Sequence, residues 1–186
     1  MFLAAALLAA GCSTGADAVE SGTEFNFVSP GGKIDLTYEG DDRQPIPELQ
    51  GESLMEEGKQ IKLSSYKGKV VVLNLWGAWC PPCRVEAPQL QKVWKSYQDK
   101  DVQILGINLR DPDRSFPEDF MHDTGLTYPS IYDPSSRSLL ALKGYPRAAI
   151  PSTIVLDKQH RVAAVFLRDL LASDLTPVLD RLLAEK

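Results

Sequence analysis

The sequence predicts an α/β fold in which a central mixed sheet is flanked by helices. Residues 70–76 and 102–109 are apolar runs of strand length, and apolar residues at helical spacing lie between them. Strands that alternate with helices form right-handed βαβ units with parallel strands. Residues 153–167 instead have the pattern of an antiparallel hairpin, because a polar turn at 157–160 divides two apolar segments. Parallel and antiparallel strands together predict a mixed sheet.

The segments before the first central strand predict two smaller β elements. Residues 33–38 alternate between polar and apolar side chains, which is typical of an edge strand. A polar loop follows at 41–44. Residues 45–63, with a turn at 56–59, are expected to form a β-hairpin.

Four helices and a further short strand complete the prediction. The helix after the first central strand is expected to extend to about Asp99, and the short strand covers 130–132. The predicted helices are 81–99, 115–123, 136–142 and a closing helix over about 175–183. Pro177 is expected near the first turn of the closing helix, where a missing N–H costs little.

Length and composition indicate one globular domain, predicted over 31–186. The chain has 186 residues, of which 44% are hydrophobic and 24% charged. This balance suits a single packed core. The formal net charge of −5 and the lack of a basic cluster argue against a nucleic-acid partner.

The N-terminus predicts export and a lipid anchor. Residues 2–10 are apolar but too short to span a bilayer, and they lead into Leu-Ala-Ala-Gly followed by Cys12. This resembles a bacterial lipobox, so 1–12 is interpreted as a signal peptide and Cys12 as the lipidated residue. No Lys or Arg precedes the apolar run, and an ordinary signal peptide cleaved nearby is the alternative. Residues 13–30 are expected to form a flexible tether that reaches about 20–25 Å. Either interpretation places the domain outside the cytoplasm.

A pair of cysteines follows the first central strand at the predicted start of a helix. In Trp-Cys-Pro-Pro-Cys-Arg, Cys80 is expected to be the N-cap and Pro81 the first helical residue. A helix N-terminus stabilises the thiolate, which is the nucleophilic form. Because Pro82 has no N–H, capping of the Cys80 sulfur is expected to come mainly from the N–H of Cys83. These features predict a redox-active dithiol.

The alternatives for the pair are a metal site or two inert buried cysteines. Structural zinc needs four ligands, and Cys12, His122 and His160 are not paired at ligand spacing. Two prolines between inert cysteines at a strand-to-helix junction would be unusual. We therefore expect neither a metal nor a cofactor.

The segment around the dithiol resembles a known family. Residues 67–88, KGKVVVLNLWGAWCPPCRVEAP, are similar to the signature of the TlpA/ResA-like extracytoplasmic thioredoxins, and in particular to the CcsX/ResA group that serves cytochrome c maturation. The resemblance extends from about 45 to 183. It implies a thioredoxin-like fold and identifies the hairpin at 45–63 as an element added before the core.

The resemblance also implies roles for four further positions. Pro88 matches the kink proline of the thioredoxin active-site helix. Ile150 and Pro151 match the segment whose proline is cis and lies against the dithiol. Glu86 matches an acidic residue near the active site of the ResA-like branch, whereas Asn74 replaces the buried aspartate of cytoplasmic thioredoxins. The carboxylate that handles protons is thus expected on the helix rather than on the strand.

These residues predict a thiol:disulfide oxidoreductase. Cys80, expected to be the more exposed sulfur, attacks a substrate disulfide and Cys83 resolves the mixed disulfide. Pro151 has no N–H, so its neighbours are expected to pair with the substrate chain. Trp79, Pro81, Pro82 and Ile150 are expected to surround the site.

The sequence leaves the direction of electron flow open. One hypothesis is a membrane-anchored monomer that reduces a protein substrate, such as the CxxCH of apocytochrome c, with electrons from a membrane donor of the CcdA type. The alternatives are an oxidant for secreted proteins, a thiol peroxidase, or a copper metallochaperone. Peroxidases usually have Thr or Ser three residues before the reactive cysteine, where this chain has Gly77.

Other residues are interpreted as structural. His122 and His160 are expected to be solvated, and Trp94 and Tyr97 to be core residues. For Trp79, shielding of the sulfur and simple packing remain equally good interpretations.

Overall fold

The computed structural model describes residues 24–185, which form a mixed sheet with helices. The strands are β1 (Asp35–Thr37), β2 (Gln50–Glu52), β3 (Gln60–Lys62), β4 (Val70–Trp76), β5 (Val102–Leu109), β6 (Ser130–Asp133), β7 (Ser152–Leu156) and β8 (Val162–Phe166). The α-helices are α1 (Pro81–Tyr97), α2 (Ser115–Asp123) and α3 (Ala172–Ala184). Six strands form the central sheet in the order β1-β8-β7-β4-β5-β6, and β2 and β3 form a separate antiparallel hairpin.

The sheet combines the two strand orientations that the sequence predicts. β5 lies parallel to β4 and to β6, whereas β7 is antiparallel to β4 and to β8. β1 pairs with β8 at one edge. The predicted mixed sheet, edge strand and added hairpin are confirmed, although the small strands are shorter than predicted.

The core lies on both faces of the sheet because β4 and β5 are buried along their whole length. Successive side chains of a strand point to opposite faces, so alternate residues of β4 enter two hydrophobic clusters. α1, α2 and α3 all contribute to the same cluster. Segments outside the α-helices, including residues near Phe27 and the β2–β3 hairpin, cover the opposite face. The three α-helices therefore pack on one face rather than on both.

The last residues of the predicted tether belong to the folded domain. Phe25 and Phe27 are buried, and their backbone N–H groups donate to the carbonyl oxygens of Pro45 and Lys143, both at 2.9 Å. The tether prediction is therefore wrong for 24–30, because two phenylalanines supply apolar surface that the sheet buries. Residues 1–23, with the predicted signal peptide and Cys12, lie outside the described residues.

Two helix predictions also need correction. Residues 136–142 form only a short 3-10 turn, Ser138–Leu140, because Ser136 adopts a left-handed φ of 55° that a helix does not allow. The Asp133 carboxylate accepts the backbone N–H groups of Arg137 and Ser138 and so caps this turn. α3 begins at Ala172, so Pro177 lies beyond its first turn. Within the described residues, no helix is long and apolar enough to cross a membrane.

Candidate active site

Cys80 and Cys83 form a disulfide at the junction of β4 and α1. Cys80 is the N-cap of α1, and its Sγ accepts the backbone N–H of Cys83 at 3.3 Å. The predicted geometry is confirmed, with Pro81 and Pro82 exposed in the first turn of the helix. Both cysteines are buried in the disulfide form, Cys80 at 2% and Cys83 at 1% exposure, so the expected difference in exposure between them is very small.

The loop after β5 holds the turn that precedes Cys80. The buried Asp111 carboxylate accepts the backbone N–H of Ala78 at 2.8 Å and the side-chain amide of Asn108 at 2.7 Å. Asp111 and Asn108 are absent from the sequence-based site. Their position could have identified them, because Asn108 and Asp111 lie at the carboxyl end of a central parallel strand. Functional sites commonly form at this edge of a sheet.

Trp79 contacts the same loop. Its indole Nε1 donates to the Leu109 carbonyl at 2.8 Å, and the side chain is 43% exposed. A Cβ on Gly77 would overlap this indole. The Thr or Ser that peroxidases place at this position therefore does not fit while the indole stays bound to Leu109.

Glu86 is a buried carboxylate one turn after Cys83. Its Oε2 accepts the Asn74 amide at 2.9 Å and its Oε1 accepts the backbone N–H of Leu170 at 3.0 Å. The same Asn74 amide lies 3.3 Å from the hydroxyl of Thr153 on β7. Burial at 1% exposure raises the pKa of Glu86 to about 7, although both hydrogen bonds oppose the shift. A carboxyl group that exchanges its proton near neutral pH thus lies between α1 and β4.

The Ile150–Pro151 segment lies against the disulfide. Its peptide bond is cis, as the resemblance implies, and the Ile150 carbonyl oxygen lies 3.8 Å from Cys80 Sγ. The Ser152 hydroxyl donates to the Ala149 carbonyl at 2.7 Å and holds the loop in a tight turn. Pro151 is buried and Ile150 half-buried.

The remaining predictions divide between correct and wrong. Trp94 and Tyr97 belong to the core, and His122 is exposed, as predicted. His160 is instead buried, with Nε2 3.1 Å from the Tyr66 carbonyl oxygen, so the expectation that it is solvated is wrong. Within residues 24–185, no group of three or more His, Cys, Asp or Glu side chains could hold a metal ion.

The sequence and the fold are similar to those of known proteins. The AhpC/TSA family profile matches residues 43–165. The chain is 34% identical to the thiol-disulfide oxidoreductase ResA of Geobacillus thermodenitrificans over 119 residues, or 64% of this chain and 66% of that protein. The match thus spans just under two thirds of that relative's length.

Two solved structures match over nearly their whole length. A secreted thiol-disulfide isomerase from Corynebacterium glutamicum superimposes with a TM-score of 0.84 at 49% identity, over 87% of this chain and 98% of that one. A DsbF homologue from Corynebacterium diphtheriae gives a TM-score of 0.81 at 48% identity, over 86% and 99% of the two chains. The fold is thioredoxin-like.

Proposed function

The chain belongs to the AhpC/TSA family of thioredoxin-fold proteins, and we propose that it works outside the cytoplasm as a thiol:disulfide oxidoreductase. The observation that carries the proposal is the Cys80–Cys83 pair at the N-terminus of α1. When the disulfide is reduced, the Cys83 N–H and the helix dipole favour a thiolate on Cys80. Such a thiolate attacks disulfide sulfurs.

The reaction transfers two electrons from the dithiol to a substrate disulfide. Cys80 attacks one substrate sulfur, forms a mixed disulfide and releases the other substrate sulfur as a thiolate. Cys83 then attacks Cys80 Sγ, which releases the second substrate thiol and leaves the Cys80–Cys83 disulfide. Because both cysteines are buried, the exchange begins with a local displacement of the groups around Cys80, including the Ile150 carbonyl.

Glu86 serves this exchange as the proton acceptor and donor for the dithiol. It lies one turn after Cys83, and burial raises its pKa to about 7, so it can take up or give up a proton near neutral pH. Its amide partner Asn74 comes from β4, the strand that leads into the dithiol. Pro151 and Ile150 contribute the surface along which the substrate chain lies.

For the direction of flow, we propose that the protein reduces the CxxCH cysteines of apocytochrome c. The resemblance to the CcsX/ResA group supports this substrate, and the similarity to a thiol-disulfide oxidoreductase, ResA, supports the exchange reaction itself. An exported compartment is generally oxidising, so the reductant needs a membrane donor of the CcdA type. Lipidation of Cys12 would hold the domain on the membrane beside this donor.

A second candidate is the oxidation of thiols to disulfides in secreted proteins. The 49% identity to a secreted thiol-disulfide isomerase, over 98% of that chain, supports substrates of this kind. In this reaction the same two cysteines take electrons from the substrate, so the electrons flow in the opposite direction.

The redox state in growing cells distinguishes the two candidates. Acid quenching followed by a mass-shifting alkylating reagent should find Cys80 and Cys83 mostly reduced. The potential of the purified protein against glutathione should lie well below about −200 mV, towards roughly −270 mV. A mostly oxidised pair with a potential near about −120 mV would contradict the reductant and support the second candidate.

A further inference from the structure

The arginines of the chain divide into those that form ion pairs with carboxylates and those that do not. Five form such pairs within residues 24–185, namely Arg43, Arg114, Arg161, Arg168 and Arg181. The others in this part of the chain, Arg84, Arg110, Arg137 and Arg147, have no carboxylate oxygen of residues 24–185 within ion-pair distance. Their guanidinium groups can therefore bind water or the carboxylates of another molecule.

Three of these four arginines belong to the segments that meet at the disulfide. Arg84 directly follows Cys83, is exposed, and its guanidinium lies 5.2 Å from the centroid of the Phe120 ring. Arg110 follows Leu109, whose carbonyl binds the indole next to Cys80.

Arg147 completes the group on the third segment. It lies three residues before Ile150, whose carbonyl oxygen is 3.8 Å from Cys80 Sγ. The Arg110 guanidinium donates to the Arg147 carbonyl at 2.6 Å, so the two exposed arginines come from loops that touch. Arginines 84, 110 and 147 are called the arginine rim below.

The arginine rim adds three positive charges to the segments that meet at the disulfide. The protein has a formal net charge of −5, yet no carboxylate of residues 24–185 pairs with the rim. Two exposed apolar side chains lie next to Cys80 and Arg84 in the sequence, Trp79 at 43% and Val85 at 67% exposure. Guanidinium groups bind carboxylates through paired hydrogen bonds, and charge complementarity raises the rate of encounter.

We propose that the arginine rim selects polypeptide substrates whose reactive cysteine is flanked by carboxylate side chains. This rests on the thiol:disulfide exchange proposed above and adds the class of substrate. The carboxylates of the substrate pair with Arg84 on α1 and with Arg110 and Arg147 on the two loops. The backbone near Ile150 then brings the substrate cysteine to Cys80.

The test compares three peptides that differ only in the residues beside one cysteine. The cysteine is supplied as a mixed disulfide with 2-mercaptoethanol, and the flanking residues are Asp, Asn or Lys. Reduced protein transfers two electrons to this disulfide, so that Cys80 and Cys83 become oxidised while the peptide and 2-mercaptoethanol leave as thiols. Each rate is divided by the rate of the same peptide with dithiothreitol, which removes differences in intrinsic reactivity.

The Asp peptide should react roughly threefold to tenfold faster than the Asn peptide at low ionic strength, and the Lys peptide should be the slowest. The preference should shrink as salt is added, because the pairs are exposed. In Arg84→Gln/Arg147→Gln, the ratio of the Asp rate to the Asn rate should fall towards one.

The matched control is Lys62→Gln/Lys67→Gln, which removes two exposed positive charges. Both lysines precede the start of β4, whereas the disulfide follows its end. This control should keep the wild-type ratio. Equal rates for the three peptides, or an equal loss of preference in the control, would overturn the inference and leave the exchange activity standing. Absence of exchange with every peptide would contradict the proposed function itself.

Discussion

Two buried carboxylates, Glu86 and Asp111, belong to the segments around the active-site turn, and they differ in what they bind. Each is 1% exposed and accepts two hydrogen bonds. Glu86 binds groups outside the turn, the amide of Asn74 and the N–H of Leu170. Asp111 binds the turn itself, through the N–H of Ala78. Burial can therefore give one carboxylate a role in proton exchange and the other a role in positioning.

The difference predicts separate consequences for the two residues. Loss of Asp111 removes an acceptor from the backbone that leads to Cys80, so the turn should become less stable. Loss of the charge on Glu86 leaves the turn bonded and removes a carboxyl group whose pKa is raised to about 7. The first change should affect stability at every pH, and the second should affect pH dependence.

The largest expected effect is on disulfide exchange and comes from replacement of either cysteine. Cys83→Ser should accumulate covalent adducts with disulfide substrates, because the mixed disulfide on Cys80 then has no resolving thiol. Cys80→Ser should form almost none. Non-reducing gels and mass spectrometry measure the adducts, and equal amounts from both variants would mean that the assigned order of attack is wrong.

Replacement of Asp111 tests the positioning role. Asp111→Ala leaves the N–H of Ala78 and the amide of Asn108 without their acceptor, so the free energy of unfolding should fall by about 2–4 kcal/mol. Both hydrogen bonds end on Oδ2, so the amide oxygen of Asp111→Asn can accept both without the negative charge and should recover about half of the loss. Urea unfolding of the oxidised proteins measures the free energy of unfolding of both variants. A wild-type value for Asp111→Ala would contradict the positioning role of Asp111.

Replacement of Glu86 should change how stability depends on pH. The pKa of its carboxyl group is about 4.5 for an unperturbed glutamate and about 7 in the folded protein. Between these values the folded state keeps a proton that the unfolded state has released, so stability falls as pH rises through this window. Wild type should lose about 2–3 kcal/mol between pH 4.5 and 8 that Glu86→Gln does not lose. Parallel unfolding profiles would contradict the raised pKa.

The sequence predicts Glu86 and misses Asp111 for a physical reason. The family resemblance identifies Glu86, which lies in the helix that begins with the dithiol, one turn after Cys83. Asp111 reaches Ala78 through tertiary structure, because β5 pairs with β4 in a register that brings their carboxyl ends together. The left-handed φ of 61° at Arg110 then redirects the chain, which periodicity alone does not predict.

The same contrast applies to the fold. Long periodic elements such as β4, β5 and α2 lie where the sequence predicts them, because their patterns reflect burial in one sheet or helix. The predictions fail where contacts between distant segments decide the structure. Phe25 and Phe27 donate backbone hydrogen bonds to Pro45 and Lys143, which are distant in the sequence. The left-handed φ of Ser136 limits the predicted helix at 136–142 to a short turn.

The most direct test of the account is the rate of Cys80 alkylation from pH 5 to pH 10 in reduced wild type, Glu86→Gln and Asp111→Asn. Coupling between the Glu86 carboxyl group and the dithiol predicts that wild type shows an additional inflection near pH 7. Glu86→Gln should lose this inflection, and Asp111→Asn should retain it. Superimposable profiles for wild type and Glu86→Gln would contradict the proton-exchange role of Glu86. Loss of the inflection in Asp111→Asn but not in Glu86→Gln would show that Asp111 has this role instead.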